Sequence, residues 1–227
     1  MHAENESDRA RVRSARSEMV EHQIAARGVT SERVLQAFRD VPREVFVTDA
    51  SRGEAYVDAP LPIGEGQTIS QPYIVAAMVA ALDLRGDERV LEVGTGSGYA
   101  AAILAKLARE VVTIERHASL ADDARARLAR LGVTNVTVVH GDGTLGVPER
   151  APFDAIVVAA SGPRVPEALI AQLGQRGRLV MPVGAASTDQ HLVRVSRDGD
   201  GLRMESLDAV RFVPLVGAQG WPDPRSR

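Results

Sequence analysis

Through the middle of the chain, continuous apolar runs alternate with stretches in which apolar residues recur at helical spacing. Five short, continuous apolar runs are typical of buried strands; they cover residues 89–93, 111–115, 136–140, 155–159 and 178–182. Three stretches with helical spacing lie among them, at residues 99–107, 119–131 and 166–173. Strands alternating with helices of this length predict right-handed βαβ units. We therefore expect an α/β fold with a doubly wound, mostly parallel, Rossmann-like sheet.

The two ends of the chain have different patterns. Apolar residues at helical spacing predict two N-terminal helices, at residues 17–27 and 31–39. The stretch 191–213 has no clear helical spacing, and we predict a β-hairpin there with its turn at residues 198–201. This hairpin would give the parallel sheet an antiparallel C-terminal edge.

A segment rich in proline and glycine, residues 56–72, separates the N-terminal helices from the rest of the chain. This density of proline and glycine predicts a shaped loop rather than a helix or a central strand. The loop also carries more polar groups than a connector needs, namely Gln67, Thr68, Ser70 and Gln71. Helical spacing resumes at residues 74–82. The loop is therefore a candidate functional segment.

Length and composition restrict the class of protein. A chain of 227 residues suits one domain, so we expect a single domain over residues 1–227, with 1–60 as an N-terminal helical segment packed on the core. Cysteine is absent, which excludes disulfides and thiolate zinc sites, and the five histidines show no metal-ligand spacing. We therefore expect no metal.

Charge and hydropathy bear on partners and location. The formal net charge of -3 argues against a nucleic-acid partner held by a basic surface. No apolar run is long enough to span a bilayer, and the polar N-terminus does not resemble a secretory signal. We expect a cytoplasmic protein with neither a nucleic-acid nor a membrane partner.

The strongest local motif is the segment 90–98, VLEVGTGSG, where an apolar strand runs into a glycine-rich loop before a helix. Open α/β sheets bind ligands at this edge, and the helix N-terminus offers free N–H donors. A dinucleotide fingerprint would need a glycine where Tyr99 stands. The spacing Gly-x-Gly-x-Gly after an acidic residue instead resembles the S-adenosylmethionine loop of class I methyltransferases. The candidate cofactor-binding residues are Glu92, Gly94, Thr95, Gly96, Ser97, Gly98 and Tyr99.

Acidic residues follow the next two predicted strands. Glu115 ends the second strand, about 20 residues past the glycine loop, where a carboxylate is placed to bind ribose hydroxyls. Asp142 and Gly143 follow the third strand at the same sheet edge. In class I methyltransferases an acidic residue there commonly meets the adenine amino group, although Asp142 between two glycines also suits a simple turn.

Further segments resemble the protein-L-isoaspartate (D-aspartate) O-methyltransferases. The segment 62–72, PIGEGQTISQP, looks like the signature of this family. Four more stretches resemble it in the same order, at residues 41–47, 151–156, 177–184 and 210–215. The matches extend from about Met19 to Leu215. The segment around Thr68 and Ser70 is specific to the family, whereas the glycine loop is shared by many methyltransferases.

The resemblance implies a reaction and its site. The enzyme would transfer the methyl of S-adenosylmethionine to the free carboxylate of L-isoaspartyl or D-aspartyl residues in proteins, leaving S-adenosylhomocysteine. The ester would then collapse to a succinimide, and hydrolysis would return some normal aspartate. Ser70 is the candidate catalytic hydroxyl, and Thr68, Ile69 and Gln71 would line the junction of cofactor and acceptor. The substrate-binding residues would be Ile63, Ser70, Val213 and Pro214.

Three rival interpretations remain open at this point. A related carboxyl methyltransferase could act on aspartate in a peptide natural product, although such relatives tend to carry a C-terminal extension. A dinucleotide-binding oxidoreductase conflicts with the glycine spacing. A non-catalytic protein-binding module on the same fold would be expected to have lost the glycines of the cofactor loop. The loop at 94–98 keeps its glycines.

Overall fold

The computed structural model describes residues 2–185, 189–199 and 201–223. Helix α1 (His2–Glu18) continues into a π-helical turn, Met19–Ile24, and then into a 3₁₀ turn. Helix α2 (Glu32–Asp40) follows. The first helix therefore begins much earlier than the predicted 17–27, because its first turns are polar and carry no apolar stripe that a pattern could detect. Among the described residues, no helix has the length and apolar character needed to cross a membrane.

A seven-stranded sheet forms the centre of the molecule. Its strands are β3 (Arg89–Val93), β4 (Glu110–Glu115), β5 (Val136–His140), β6 (Phe153–Val158), β7 (Leu173–Gly184), β8 (Gln190–Asp198) and β9 (Gly201–Val210). Their spatial order is β5-β4-β3-β6-β7-β8-β9. The first five in that order are parallel, and β8 and β9 form an antiparallel edge. The predicted fold class is confirmed, and the order reverses between β3 and β6.

Helices cover both faces of this sheet. They are α3 (Pro72–Ala81), α4 (Tyr99–Ala105), α5 (Ala118–Arg130) and α6 (Glu167–Ala171). Successive strand residues belong to opposite faces, so Val90 packs in one apolar cluster and Leu91 in the other. The first cluster also contains Met19 and Phe38 of the N-terminal helices. Burial on both faces explains why the parallel strands appear in the sequence as continuous apolar runs.

The segment predicted as a shaped loop contains a small hairpin outside the main sheet. Strands β1 (Leu61–Gly64) and β2 (Gln67–Ile69) pair antiparallel. The two residues that join them, Glu65 and Gly66, both have positive φ, as a primed hairpin turn requires. The strands are too short and too interrupted by proline and glycine to give an alternating pattern, so the sequence shows only the irregularity.

The remaining differences concern element ends near β7. Helix α6 is shorter than the predicted 166–173, and β7 begins well before the predicted 178–182. Strand β7 extends in both directions because it pairs with β6 on one side and with β8 on the other. The predicted C-terminal hairpin is confirmed as β8 and β9. One residue of its predicted turn, Asp200, lies outside the described residues.

Candidate active site

A cavity lies at the carboxyl ends of β3, β4 and β6, where the strand order reverses. The glycine loop after β3 lines it together with the corner after β2 and the segment after β9. This is the position at which open α/β sheets bind their ligands. The three segments are far apart in sequence, and the sheet topology brings them to one edge.

The glycine loop owes its shape to positive φ angles. Gly96 has φ +51° and Gly98 has φ +90°. A Cβ on Gly96 would lie 3.1 Å from Ile63 Cδ1, so the β1–β2 hairpin packs directly on this loop. Gly98 is the N-cap of α4, and a Cβ there would lie 3.3 Å from the Cβ of Ala124 in α5. Glycine is therefore required both for the turn and for close packing.

Glu92 lies beneath this loop with its carboxyl group buried. One oxygen accepts a hydrogen bond of 2.6 Å from the Thr113 hydroxyl, which is 2.6 Å from the Thr95 hydroxyl. The other oxygen, Oε1, has no partner among the described residues. Burial raises the pKa of Glu92 to about 8, and the nearby Glu115 adds to the rise, while the Thr113 bond opposes it. Glu92 is therefore mostly neutral at pH 7. The residue lines the cavity, and its Oε1 is left without a hydrogen-bond partner among the described residues.

Glu115 ends β4 and joins two parts of the site. Its Oε2 accepts a hydrogen bond of 2.9 Å from the Gly96 N–H, and its Oε1 accepts one of 3.0 Å from the His117 N–H. Only 5% of the residue is exposed. A carboxylate has about four lone-pair positions, so Glu115 can still accept bonds from ligand hydroxyls in the cavity that it lines.

Asp142 is engaged in local structure and does not line the main cavity. Its Oδ1 accepts hydrogen bonds from the Thr144 N–H and hydroxyl, at 2.9 and 2.7 Å. Its Oδ2 accepts one of 2.8 Å from the Ala218 N–H. The side chain therefore caps a turn and holds residues 215–223, the C-terminal strap. Asp142 lines a neighbouring depression that shares Arg116 and Val216 with the main cavity, so its adenine role stays a prediction.

Ser70 lines the cavity at the corner between β2 and α3. The N-cap of α3 is Gln71, and no side chain caps that helix. A purely capping role for Ser70 therefore has no support in the geometry. The Gln71 side chain points away from the cavity: its Nε2 donates to Asp58 Oδ2 at 2.6 Å, and the same oxygen accepts a bond of 2.7 Å from Arg27. Gln71 holds the corner through its bond to Asp58, and its contact with a ligand stays a prediction.

The opposite end of the chain supplies the segment predicted to bind substrate. Val213 and Pro214 line the same cavity as Ser70. The Ser161 N–H donates to the Val213 carbonyl at 2.8 Å, and the Ser161 carbonyl accepts from the Leu215 N–H at 2.8 Å. This short parallel bridge fixes the segment beside the end of β6.

The structure brings most of the predicted site residues to one cavity. Those that line it are Thr68, Ile69, Ser70, Glu92, Gly94, Thr95, Gly96, Ser97, Tyr99, Glu115, Gly143, Val213 and Pro214. Four predicted residues do not line it: Ile63, Gln71, Gly98 and Asp142. Each of these four supports a lining segment through packing or hydrogen bonds, and their direct contacts with ligands stay predictions.

Several lining residues were not singled out from the sequence. Arg116 and His117 follow Glu115 directly, so their position at a strand end was the signal that could have identified them. Phe212 precedes the predicted Val213 in the same way. Met78 and Val79 of α3 have no such signal, because apolar residues on a helix are normally core residues. Within the described part of the chain, no group of three or more acidic or histidine side chains could hold a metal.

Comparisons with known proteins show which family the chain resembles over most of its length. The profile of the family "Protein-L-isoaspartate(D-aspartate) O-methyltransferase (PCMT)" matches residues 14–220. Protein-L-isoaspartate O-methyltransferase 1 of Rhodopseudomonas palustris (strain HaA2) is 59% identical over 216 residues, which cover 93% of this chain and 88% of that protein. A solved protein-L-isoaspartate O-methyltransferase has a TM-score of 0.81 and 31% identity, over 90% of this chain and 67% of its own.

A second solved structure is informative about the ligand. It is a Plasmodium falciparum protein assigned to the protein-L-isoaspartate O-methyltransferases, in complex with S-adenosyl-L-homocysteine. It has a TM-score of 0.76 and 25% identity, over 88% of this chain and 98% of its own.

The reversed strand order, the glycine loop and the carboxylate at the next strand end define a class I S-adenosylmethionine-dependent methyltransferase. Within that class, the chain belongs to the protein-L-isoaspartate(D-aspartate) O-methyltransferase family.

The described residues fit S-adenosylmethionine in two respects. Glu92 lines the cavity, and its Oε1 is a buried polar atom with no partner among the described residues, although such atoms normally have one. The glycine loop presents backbone rather than side chains at the start of α4, which suits close approach of a ligand.

The role of Glu115 leads to a test by calorimetry. If Glu115 binds the ribose as predicted, Glu115→Ala removes charge-assisted hydrogen bonds that are each worth about 1.5–3 kcal/mol. We expect the affinity for S-adenosylhomocysteine to fall at least about tenfold. Glu110→Ala, at the other end of the same strand and outside the cavity, is the matched control and should keep its affinity. Unchanged binding by a folded Glu115→Ala protein would reject the role.

The raised pKa of Glu92 predicts a pH-dependent effect on stability. Between its ordinary value of 4.5 and about 8, the folded protein keeps a proton that the unfolded chain has lost. Glu92 therefore lowers stability increasingly as the pH rises through this window. Thermal unfolding of Glu92→Gln should show a gain over the wild type that is at least about 2–4 °C larger at pH 9 than at pH 5. A gain independent of pH would show that Glu92 is already ionised at pH 5.

Proposed function

We propose that this protein transfers the methyl group of S-adenosylmethionine to the free carboxylate of L-isoaspartyl residues, and of D-aspartyl residues, in proteins and peptides. Family membership and the names of its relatives support this reaction. The observation that carries the proposal is the position of Ser70. The segment that resembles the family signature lines the same cavity as the methyltransferase glycine loop.

The cofactor would be held by the groups at the ends of β3 and β4. The backbone of the glycine loop and the carboxyl group of Glu92 face the cavity on one side, and Glu115 faces it on the other. A neutral Glu92 can both donate and accept a hydrogen bond, whereas Glu115 can only accept. When bound, S-adenosylmethionine supplies an electrophilic methyl group on a positively charged sulfur.

The acceptor needs little from acid–base side chains. An isoaspartyl carboxylate is ionised at neutral pH, so no general base has to remove a proton. Among the described residues, the acidic and basic side chains that line the cavity are Glu92, Glu115, Arg116 and His117, and Arg116 is paired with Asp223 at 2.7 Å. Attraction between carboxylate and sulfonium is lost in the transition state, so a strongly charged wall would not favour the reaction.

The contribution of the protein is therefore orientation and exclusion of water. The Ser70 hydroxyl has no hydrogen-bond partner among the described residues, so it is available to donate to the acceptor carboxylate. The apolar side chains of Val213 and Pro214 border the same space and limit access of water. An ester formed there would leave the site and close to a succinimide without further catalysis. We expect this repair to act on aged proteins in the cytoplasm.

A pair of peptides tests the reaction. The peptides differ only in an aspartyl or isoaspartyl linkage, and each is incubated with the protein and labelled S-adenosylmethionine. We expect base-labile methylation of the isoaspartyl peptide and little or none of the aspartyl peptide. Equal labelling of both, or label on nitrogen, would exclude the proposed acceptor.

The role of Ser70 predicts loss of rate without loss of fold. A lost orienting bond to a charged acceptor should cost about 1.5–3 kcal/mol, or about ten- to a hundredfold in rate. We expect Ser70→Ala to bind S-adenosylhomocysteine normally and to lose at least about tenfold in kcat/KM for an isoaspartyl peptide. Ser206→Ala on the exposed edge strand β9 is the control and should keep full activity. Near wild-type turnover by Ser70→Ala would remove Ser70 from the chemistry.

A further inference from the structure

The wall of the cavity that contains Val213 and Pro214 lies beyond the end of the sheet. The ladder between β8 and β9 has its last pair at Gln190 and Val210. The chain then continues through the segment 211–215, whose last four residues line the cavity. Among the described residues, no strand pairs with this segment on the side of β8.

The side chain of Gln190 replaces the missing strand. Its Oε1 accepts a hydrogen bond of 2.6 Å from the Phe212 N–H, and its Nε2 donates one of 3.2 Å to the Phe212 carbonyl. A side-chain amide thus makes the two bonds that a strand residue would make with its backbone. Gln190 is only 3% exposed, and a buried amide of this kind normally has its polar atoms paired, as both are here.

The segment is then held from both sides. Gln190 fixes Phe212, and the backbone of Ser161 fixes Val213 and Leu215 at 2.8 Å each. The Trp221 N–H also donates to the Leu215 carbonyl at 2.7 Å, so the C-terminal end of the segment has several attachments. The Gln190 side chain is the attachment at the other end, at Phe212, directly before Val213 and Pro214.

We infer that Gln190 is a positioning residue for methyl transfer, one that sets the acceptor side of the cavity by holding Phe212. This inference rests on the proposed function. Gln190 does not line the cavity and acts only through the backbone of Phe212. Its loss should therefore affect the peptide acceptor much more than the cofactor, whose groups lie at the ends of β3 and β4.

The chain contains a matched control in Gln172. This glutamine is 5% exposed and also binds backbone with its side-chain amide. Its Oε1 accepts from the Val147 N–H at 2.8 Å, and its Nε2 donates to the carbonyls of Leu145 and Ala168 at 2.8 and 2.9 Å. None of these three partners lines the cavity. Gln172 thus has the same chemistry without a link to the acceptor side.

The experiment compares Gln190→Met with Gln172→Met in the full chain. Methionine matches the length of glutamine but cannot make either backbone bond. Both variants should melt at a lower temperature. We expect Gln190→Met to raise the KM for an isoaspartyl peptide at least about fivefold, with the Kd of S-adenosylhomocysteine within about twofold of wild type. Gln172→Met should keep both constants within about twofold.

A conservative pair keeps the test decisive if Gln190→Met does not fold. Gln190→Glu retains an acceptor for the Phe212 N–H. Its KM for the isoaspartyl peptide should therefore lie between those of the wild type and the methionine variant. Gln172→Glu is its control. Equal effects of the changes at 190 and 172 on the peptide KM would overturn the inference. If the wild type itself does not methylate the isoaspartyl peptide, the proposed function fails and the inference fails with it.

Discussion

Much of the site depends on a single buried carboxylate, Glu115. Its two oxygens bind the backbone of Gly96 in the loop after β3 and of His117 at the start of α5. Hydrogen bonds from backbone N–H groups to a charged acceptor are among the stronger ones in proteins. One side chain therefore joins the ends of two parallel strands and holds the glycine loop in the shape that the cavity requires. The same carboxylate is left with acceptor capacity for a ligand.

Segments outside the sheet complete the cavity, and a polar side chain that is buried or half-buried fixes each of them. Asp58 holds the corner that carries Ser70 by accepting a bond from Gln71. Gln190 holds Phe212 next to the acceptor side. Asp142 holds the C-terminal strap at Ala218. Directional bonds suit this task, because apolar packing alone tolerates shifts that would misalign reacting atoms.

The electrostatics of the cavity agree with its chemistry. Burial keeps Glu92 mostly neutral at pH 7, so this carboxyl group does not add a full negative charge to the cavity wall. A transfer from a sulfonium to a carboxylate neutralises charge, and a site with few unpaired charges is the appropriate environment for it. Positioning by the backbone and by a few hydroxyl and amide groups then carries most of the catalytic task.

The sequence by itself determined the parallel sheet and the motifs at its carboxyl edge. Continuous apolar runs define β3 to β6, and the ends of parallel strands meet at one edge, so the spacing alone predicts that Glu92 and Glu115 lie close together. Only the tertiary structure decided which polar side chains line the cavity and which also hold other parts of the chain. Gln71, Asp142 and Gln190 bind parts of the chain that lie 13 to 76 residues away in sequence. Local spacing carries no information about such partners, and they exist only once the chain has folded.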